Sequence, residues 1–223
     1  MNSTINIFCI MGRTGAGKSS YFNKLVSNKL FMKVSNLSLL VFGTTKKKKP
    51  EDKEGIDYYF YTDEEYEKLI KDDDLIECRS YYTLNHGVVK YFTKASYIES
   101  KNTNIICTVS PYQFESYKNW CNKQNIKTPG RYKLFLIIID TSLRYRLNRI
   151  ITESDNSESE LYELCRRILE EKSEFESVTN RIPELIDPMG SSNVCFINND
   201  SSSIEVFKQN LEIIKRFIVN NIK

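Results

Sequence analysis

Short, unbroken runs of apolar residues recur along the chain, and many of their side chains are β-branched. Such runs are typical of strands buried on both faces of a parallel sheet, because a strand with one exposed face alternates apolar and polar residues. Between them, apolar residues recur every three or four positions, as on one helix face, for example Phe22, Leu25, Val26 and Leu30. The strand patterns occupy residues 5–11, 37–42, 105–109, 134–139 and 194–197, and the helical patterns occupy 18–31, 112–123, 142–151, 158–175 and 204–222. Strands that alternate with helices predict an α/β fold with a parallel sheet.

Two segments interrupt this alternation. Residues 46–93 carry the aromatic strand signals DYYFYT, RSYY and KYFT around one short helix, whose start is marked by the capping-box spacing of Thr62 and Glu65. We expect a small inserted lobe here. Residues 152–160, TESDNSESE, are polar and lie between arginine-rich helical patterns, which predicts a mobile lid.

Composition narrows the class of protein. The 223 residues fit one globular unit, and the formal charge of +3 is spread along the chain, which argues against a broad nucleic-acid or membrane surface. No run approaches the roughly 20 apolar residues of a membrane span, and we see no signal-peptide pattern. Six scattered cysteines without a C-x-x-C pair are expected to be buried free thiols in a reducing compartment. The sequence therefore predicts a soluble cytoplasmic protein, as a monomer or a weak dimer.

The stretch GRTGAGKSS carries the most specific chemical signal in the chain. It matches the phosphate-binding pattern G-x-x-x-x-G-K-[ST] and lies between a predicted strand and a predicted helix, as that motif requires. Its backbone N–H groups and the helix N-terminus are suited to cradle the phosphates of a nucleotide, for which ATP is the default and GTP remains open. Lys18 would neutralise phosphate charge, and the Ser19 hydroxyl would hold Mg²⁺. The predicted donor-binding residues are Gly12, Arg13, Thr14, Gly15, Ala16, Gly17, Lys18, Ser19 and Ser20.

The segment TTKKKKPEDKEGIDYYF, together with LIE at residues 75–77, resembles the guanylate kinase family. That family has T-T-R-x-x-R-x-G-E, then D-Y-x-F, then I-E. KYFT at 90–93, RRILEEKSEF at 166–175 and INND at 197–200 resemble its later motifs. The resemblance implies a P-loop NTPase fold with a parallel sheet core, an inserted monophosphate-binding lobe and a helical lid. It implies one domain over residues 1–223, with the core at 1–43, 94–143 and 178–223, the lobe at 44–93 and the lid at 144–177.

The resemblance also implies an acceptor site for GMP. Lys46, Lys49, Tyr58 and Tyr91 match the two arginines and two tyrosines that grip its phosphate, but both arginines are lysines here. Because an ammonium lacks the planar fork of a guanidinium, we expect weaker or less oriented gripping. Glu77 matches the glutamate that accepts hydrogen bonds from guanine N1–H and N2–H₂.

Other family positions of the acceptor site are less well preserved. Thr93 matches a Ser or Thr that touches the base, but Thr108 and Ser110 stand where the family has D-x-D. The second of those carboxylates helps to read guanine. With only the Ser110 hydroxyl in its place, we expect relaxed base selectivity. Asp140 ends an apolar strand, and we interpret it as a helix cap rather than a metal ligand.

The predicted lid carries the remaining chemistry. Arg146, Arg149 and Arg167 best match the family's lid arginines, and phosphoryl transfer depends chiefly on neutralising the charge of the phosphates. We therefore expect these three arginines and Lys18 to be catalytic. The alternative is a helix surface on which the arginines pair with glutamates one turn away, namely Glu163, Glu170 or Glu171.

The sequence thus predicts a nucleoside monophosphate kinase that transfers the γ-phosphoryl of Mg·ATP to GMP or dGMP. Two alternatives remain: a non-catalytic binding module built on the same fold, or a P-loop kinase of another small acceptor. The intact phosphate-binding motif favours an enzyme over the binding module. We expect no nucleic-acid or membrane partner.

Overall fold

The computed structural model describes residues 4–83, 87–153, 158–179 and 191–222. The strands are β1 (Ile5–Gly12), β2 (Leu37–Leu39), β3 (Gly43–Thr44), β4 (Tyr59–Phe60), β5 (Leu75–Thr83), β6 (Gly87–Lys94), β7 (Asn104–Val109), β8 (Tyr132–Asp140) and β9 (Val194–Asn198). The helices are α1 (Lys18–Ser27), α2 (Lys29–Val34), α3 (Asp63–Lys71), α4 (Ala95–Glu99), α5 (Pro111–Lys127), α6 (Leu143–Glu153), α7 (Glu158–Thr179) and α8 (Ile204–Asn221), with a short 3₁₀ turn at Ser191–Asn193.

Five strands form a parallel sheet in the order β2-β7-β1-β8-β9. Its central strand β1 is buried along its whole length. Ile7 and Cys9 pack into the apolar cluster on one face of the sheet, and Phe8 and Ile10 pack into the cluster on the other face. Burial on both faces explains why these strands read as unbroken apolar runs. The predicted α/β fold with a parallel sheet core is confirmed.

Residues between β3 and β6 build a second, mainly antiparallel sheet in the order β4-β3-β6-β5. Helix α3 packs on it through a small apolar cluster that includes Tyr66, Leu69 and Phe92. The predicted capping box is present, since the Thr62 side chain accepts from the Glu65 N–H and the Glu65 side chain accepts in return from the Thr62 N–H. This second sheet carries many of the residues that the sequence assigns to the acceptor site.

The first helical pattern does not form one helix. Helix α1 ends at Ser27, and Asn28 caps α2 by accepting a hydrogen bond from the Phe31 N–H at 3.0 Å. The predicted helix over 18–31 is therefore wrong at its end, because the Asn28 side chain competes with the helical hydrogen bonds. The placement of Leu30 on the buried face is wrong too: Leu30 is 72% exposed, whereas Leu25 is fully buried.

One further prediction differs from the structure: the strand predicted over 37–42 is shorter, since β2 ends at Leu39. At the start of α6, Asp200 accepts from the Ser142 N–H at 2.6 Å, and the interpretation of Asp140 as a helix cap stays a prediction. Residues 154–157 of the predicted lid segment lie outside the described residues.

Cys9, Cys107, Cys121 and Cys195 are buried free thiols as expected, whereas Cys165 is exposed.

None of the helices in the described ranges combines the length and the apolar character that crossing a lipid bilayer requires.

Candidate active site

The phosphate-binding motif forms a tight loop between the end of β1 at Gly12 and the start of α1 at Lys18. Gly15 and Gly17 adopt φ angles of 76° and 90°, which side chains other than glycine rarely tolerate. A Cβ atom at Gly17 would lie 2.7 Å from the Asn199 Nδ2 atom, and one at Gly15 would lie 2.9 Å from the Arg146 carbonyl oxygen. The loop therefore requires glycine at these two positions.

A cleft of about 700 Å³ opens beside this loop. Lys18 lies in it, with its ammonium 3.1 Å from the Gly12 carbonyl oxygen. Gly12 and Ala16 are buried and do not line the cleft, unlike the other residues of the motif. The cleft is lined by Arg13, Thr14, Gly15, Gly17, Lys18, Ser19, Ser20, Tyr21, Arg149, Ile150, Thr152, Leu164, Arg167, Asn199, Ser201, Ser202, Ser203, Ile204 and Phe207.

Asn199 ties the loop to the end of β9. Its Nδ2 atom donates to the Ala16 carbonyl oxygen at 2.9 Å, and its Oδ1 atom accepts from the Tyr21 hydroxyl at 2.8 Å. The side chain is buried, so these hydrogen bonds are shielded from water and hold the loop in place. The motif INND contains Asn199, but no pattern in the sequence predicts this role for it.

Arg149 lines the cleft but donates its hydrogen bonds to backbone carbonyls. The guanidinium reaches the oxygens of Ala16 at 3.3 Å, Asn199 at 2.7 Å and Ser201 at 2.6 Å. It therefore clamps the phosphate-binding loop to the segment that follows β9. Its predicted contact with phosphates stays a prediction, and the observed contacts describe a residue that positions the loop.

Arg146 lies beneath the loop rather than in the cleft. It is only 4% exposed, and its Nη1 atom donates to the Thr14 carbonyl oxygen at 3.1 Å. Burial, together with the nearby charge of Arg13, lowers the pKa of the Arg146 guanidinium. Arg167, in contrast, is exposed and lines the cleft. The three predicted lid arginines thus occupy different environments, and Arg167 has the most open one.

Helix α7 places a carboxylate directly on the phosphate-binding loop. Glu171 accepts a hydrogen bond from the Thr14 N–H at 2.7 Å and a second one from the Thr14 hydroxyl. In the same region the Arg13 guanidinium lies 5.2 Å from the ring centre of Phe175. The sequence suggested Glu171 only as a partner for an arginine, so this contact was missed.

At the other predicted end of the site, Glu77 lies buried at the start of β5. The strand register places it opposite Thr93 on β6, and the Thr93 hydroxyl donates to Glu77 Oε1 at 2.7 Å. The Tyr117 hydroxyl lies 2.8 Å from Thr93 and donates to it, since the Thr93 proton is already used. Burial raises the pKa of Tyr117 well above its ordinary value, so this donor stays protonated.

Ser110 caps helix α5. Its hydroxyl oxygen accepts from the Gln113 N–H at 3.3 Å, and Gln113 Oε1 accepts from the Ser110 N–H at 2.9 Å. The Gln113 Nε2 atom then lies 3.4 Å from Glu77 Oε1. Ser110 therefore acts on Glu77 through Gln113, and direct contact with a base stays a prediction. The S-P-x-Q spacing of a capping box was the signal for Gln113.

Three acceptor-site candidates cluster at the second sheet: Tyr91 on β6, Lys46 shortly after β3 and Tyr58 just before β4. The Lys46 ammonium lies 5.6 Å from the Tyr58 ring centre, and the rings of Tyr58 and Tyr91 are 5.5 Å apart. Asp52 lies 2.9 Å from the ammonium, and this hydrogen-bonded carboxylate raises the pKa of Lys46. The Lys49 N–H and the Lys46 ammonium in turn lower the pKa of Asp52. Lys49 itself extends into solvent with a side chain that is 60% exposed.

Comparison with known proteins identifies the family. The guanylate kinase family model matches residues 4–118. The chain is 29% identical over 184 residues to the guanylate kinase of Mycoplasma genitalium, covering 81% of this chain and 68% of that protein. It is 25% identical over 170 residues to the guanylate kinase of Oceanobacillus iheyensis, covering 76% and 73%.

The fold agrees with this assignment. The crystal structure of guanylate kinase from Anaplasma phagocytophilum matches with a TM-score of 0.53 at 15% identity, over 99% of this chain and 89% of that one. These relatives favour a phosphotransferase over a non-catalytic binding module. The chain belongs to the guanylate kinase family and is a nucleotide kinase.

Proposed function

We propose that the protein transfers the γ-phosphoryl group of Mg·ATP to GMP or dGMP, giving ADP and the guanine nucleoside diphosphate. The observation that carries the proposal is the buried Glu77 carboxylate. Thr93 and Gln113 hold its Oε1 atom, while Oε2 makes no hydrogen bond to any described residue. Guanine presents adjacent N1–H and N2–H₂ donors, which suit a buried acceptor of this kind.

The donor nucleotide fits the cleft beside the phosphate-binding loop. The two glycines with positive φ bring backbone close to the cleft, and the N-terminus of α1 adds partial positive charge. Lys18 and Arg167 line the same cleft and would neutralise phosphate charge. The exposed hydroxyl of Ser19 is a suitable oxygen ligand for Mg²⁺, which would supply further charge neutralisation when bound.

On the acceptor side, Lys46, Lys49, Tyr58 and Tyr91 would bind the phosphate of GMP. An acceptor phosphate oxygen is already anionic at neutral pH, so the protein needs no general base. The chain's own contribution is to align the two phosphates and to exclude water. We therefore assign residues 44–93 as the monophosphate-binding lobe, residues 144–177 as the lid, and the rest of the chain as the core.

A coupled assay of ADP formation tests the proposal. Purified protein with Mg·ATP is given GMP, dGMP, AMP, CMP, UMP or dTMP, and Lys18→Ala serves as the control for contaminating kinases. We expect the highest kcat/KM with GMP or dGMP and its loss in the control. Absence of turnover with every monophosphate would refute the proposal, and a clear preference for another base would replace guanine with that acceptor.

A further inference from the structure

Arg79 shares one face of the second sheet with Glu77. Alternate residues of a strand point to the same side, and the β5–β6 register places Glu77 opposite Thr93 and Arg79 opposite Tyr91. The Arg79 Nε atom lies 3.4 Å from Glu77 Oε2. Arg79 therefore lies beside the carboxylate atom that we assign to guanine.

This ion pair is incompletely bonded. The Glu77 side chain is 0% exposed and the Arg79 side chain is 27% exposed, yet Nε and Oε2 make no hydrogen bond among the described residues. A pair of buried charges offsets its desolvation cost only when hydrogen bonds satisfy both groups. In the protein without ligand, the donor Nε and the acceptor Oε2 thus lie side by side without hydrogen bonds to the described residues, as expected of groups that bind a ligand.

We propose that Arg79 is a specificity-determining residue that donates hydrogen bonds to O6 and N7 of the acceptor guanine. The inference rests on the proposed guanine acceptor. Around the guanine ring the donors N2–H₂ and N1–H are followed by the acceptors O6 and N7. A carboxylate with a guanidinium next to it matches that order, and arginine is the usual bidentate partner of guanine O6 and N7.

The same geometry selects against adenine. Adenine carries an amino donor where guanine carries O6, so it would set a donor against the donors of Arg79 and leave a carboxylate oxygen of Glu77 unpaired. Sites built to hydrogen-bond one pattern reject the opposite pattern strongly, because their own polar groups then lose partners. Arg79 accordingly supplies the base discrimination that Ser110, occupied in capping α5, does not supply directly. This proposal therefore predicts stricter base selectivity than the Ser110 substitution alone predicts.

The position of Nε beside Glu77 supports contact with the base, although Arg79 also lies opposite Tyr91, a candidate for binding the acceptor phosphate. The phosphate-binding candidates Lys46 and Tyr58 lie at the end of the site that Asp52 borders, whereas the charged partner of Arg79 is Glu77. A residue that bound the phosphate would affect every monophosphate equally, which provides the discriminating test.

The experiment compares kcat/KM for GMP, 7-deaza-GMP, IMP and AMP. The first analogue lacks only the N7 acceptor, and IMP lacks only the N2 amino group. Arg79→Met keeps length without donors, Arg79→Lys keeps the charge without the fork, and Arg216→Met is a control on the exposed face of α8.

We expect the wild type to prefer GMP to 7-deaza-GMP by about 10-fold, and both Arg79 variants to lose most of that preference. The GMP-to-AMP ratio should also fall at least about 10-fold, while the GMP-to-IMP ratio, set by Glu77, stays unchanged. Arg79→Lys addresses folding, because it retains a cation beside Glu77, and its melting temperature should match the wild type.

An unchanged preference for GMP over 7-deaza-GMP in Arg79→Lys would overturn the inference. Equal losses with all four substrates would also overturn it, because they would place Arg79 on the phosphate or in a purely structural role. Failure of the proposed function is distinguishable, since the wild type would then not phosphorylate GMP at all.

Discussion

Glu171 places a negative charge on the loop that we propose binds the donor phosphates. Its carboxylate accepts from both the N–H and the hydroxyl of Thr14, which lines the donor cleft. A phosphate that enters the cleft must displace this carboxylate or tolerate its charge. Glu171→Gln keeps the side-chain length and removes the charge, so we expect it to bind ATP more tightly.

The expected gain can be worked from these contacts. A hydrogen bond to a charged group contributes about 1.5–3 kcal/mol when buried. Glu171 is only partly buried, and water competes for both partners, so about 1 kcal/mol for the contact is appropriate. Repulsion between two unit charges about 6 Å apart in water adds about 0.7 kcal/mol. The total of about 1.7 kcal/mol corresponds to a roughly 10- to 20-fold lower Kd for ATP.

Isothermal titration calorimetry with ATP, without an acceptor, measures this Kd directly. Glu170→Gln is the matched control, because it removes the same charge from the neighbouring position of α7 but breaks an ion pair with Arg166 on that helix. The control should change the Kd by less than about twofold. If Glu171→Gln binds ATP no more tightly than Glu170→Gln, the carboxylate does not compete with phosphate, and the reasoning fails.

Three further variants test other parts of the site. Lys18→Ala should lower kcat at least about 100-fold with an unchanged melting temperature, because it removes a charge beside the donor cleft rather than a side chain of the core. Unaltered turnover would exclude the loop from catalysis. Asp52→Asn should lower the KM for GMP severalfold, because Lys46 then loses its carboxylate partner. The KM is measured at low ionic strength, and a value equal to that of the wild type would contradict the prediction. Asn199→Ala should lower the free energy of unfolding by about 1–3 kcal/mol, because the Tyr21 hydroxyl and the Ala16 carbonyl oxygen each lose a hydrogen-bond partner. Urea denaturation measures this loss. A loss below about 0.5 kcal/mol would show that Asn199 does not hold the loop in place.

The sheet was predictable because its strands are buried on both faces. Phe8 and Cys9 point to opposite sides and both meet apolar neighbours, so the sequence shows an unbroken apolar run. The break at Asn28 was not predictable from the same periodicity. There a local side-chain hydrogen bond outweighs the helical pattern, and Leu30 is left exposed although its spacing matches Leu25.

In the site, the chemistry of the residues was predictable from the sequence, but the direction of their side chains was not. Arg146 and Arg149 were expected at the phosphates, yet in this structure both donate to backbone carbonyls of the loop. The contact of Glu171 with Thr14 joins residues 157 positions apart, and no local pattern encodes it. Such tertiary contacts depend on how α6 and α7 pack, which periodicity does not specify.

Three carboxylates of the site lie against protein groups before any nucleotide binds. Glu171 lies on Thr14, Asp52 on Lys46, and Glu77 beside Arg79. At Thr14 and Lys46 a bound phosphate would therefore exchange partners with a protein carboxylate, whereas at Glu77 and Arg79 the base would complete a pair that has no hydrogen bond of its own. Exchange lowers affinity, because only the difference between two interactions contributes to binding. The same pairing raises selectivity, because a ligand that binds only one residue of a pair leaves a partly buried charge on the other unsatisfied. Glu77 is the most buried of these carboxylates, so leaving a charge unsatisfied costs most at the Glu77–Arg79 pair. Base recognition therefore gains most in selectivity from this arrangement.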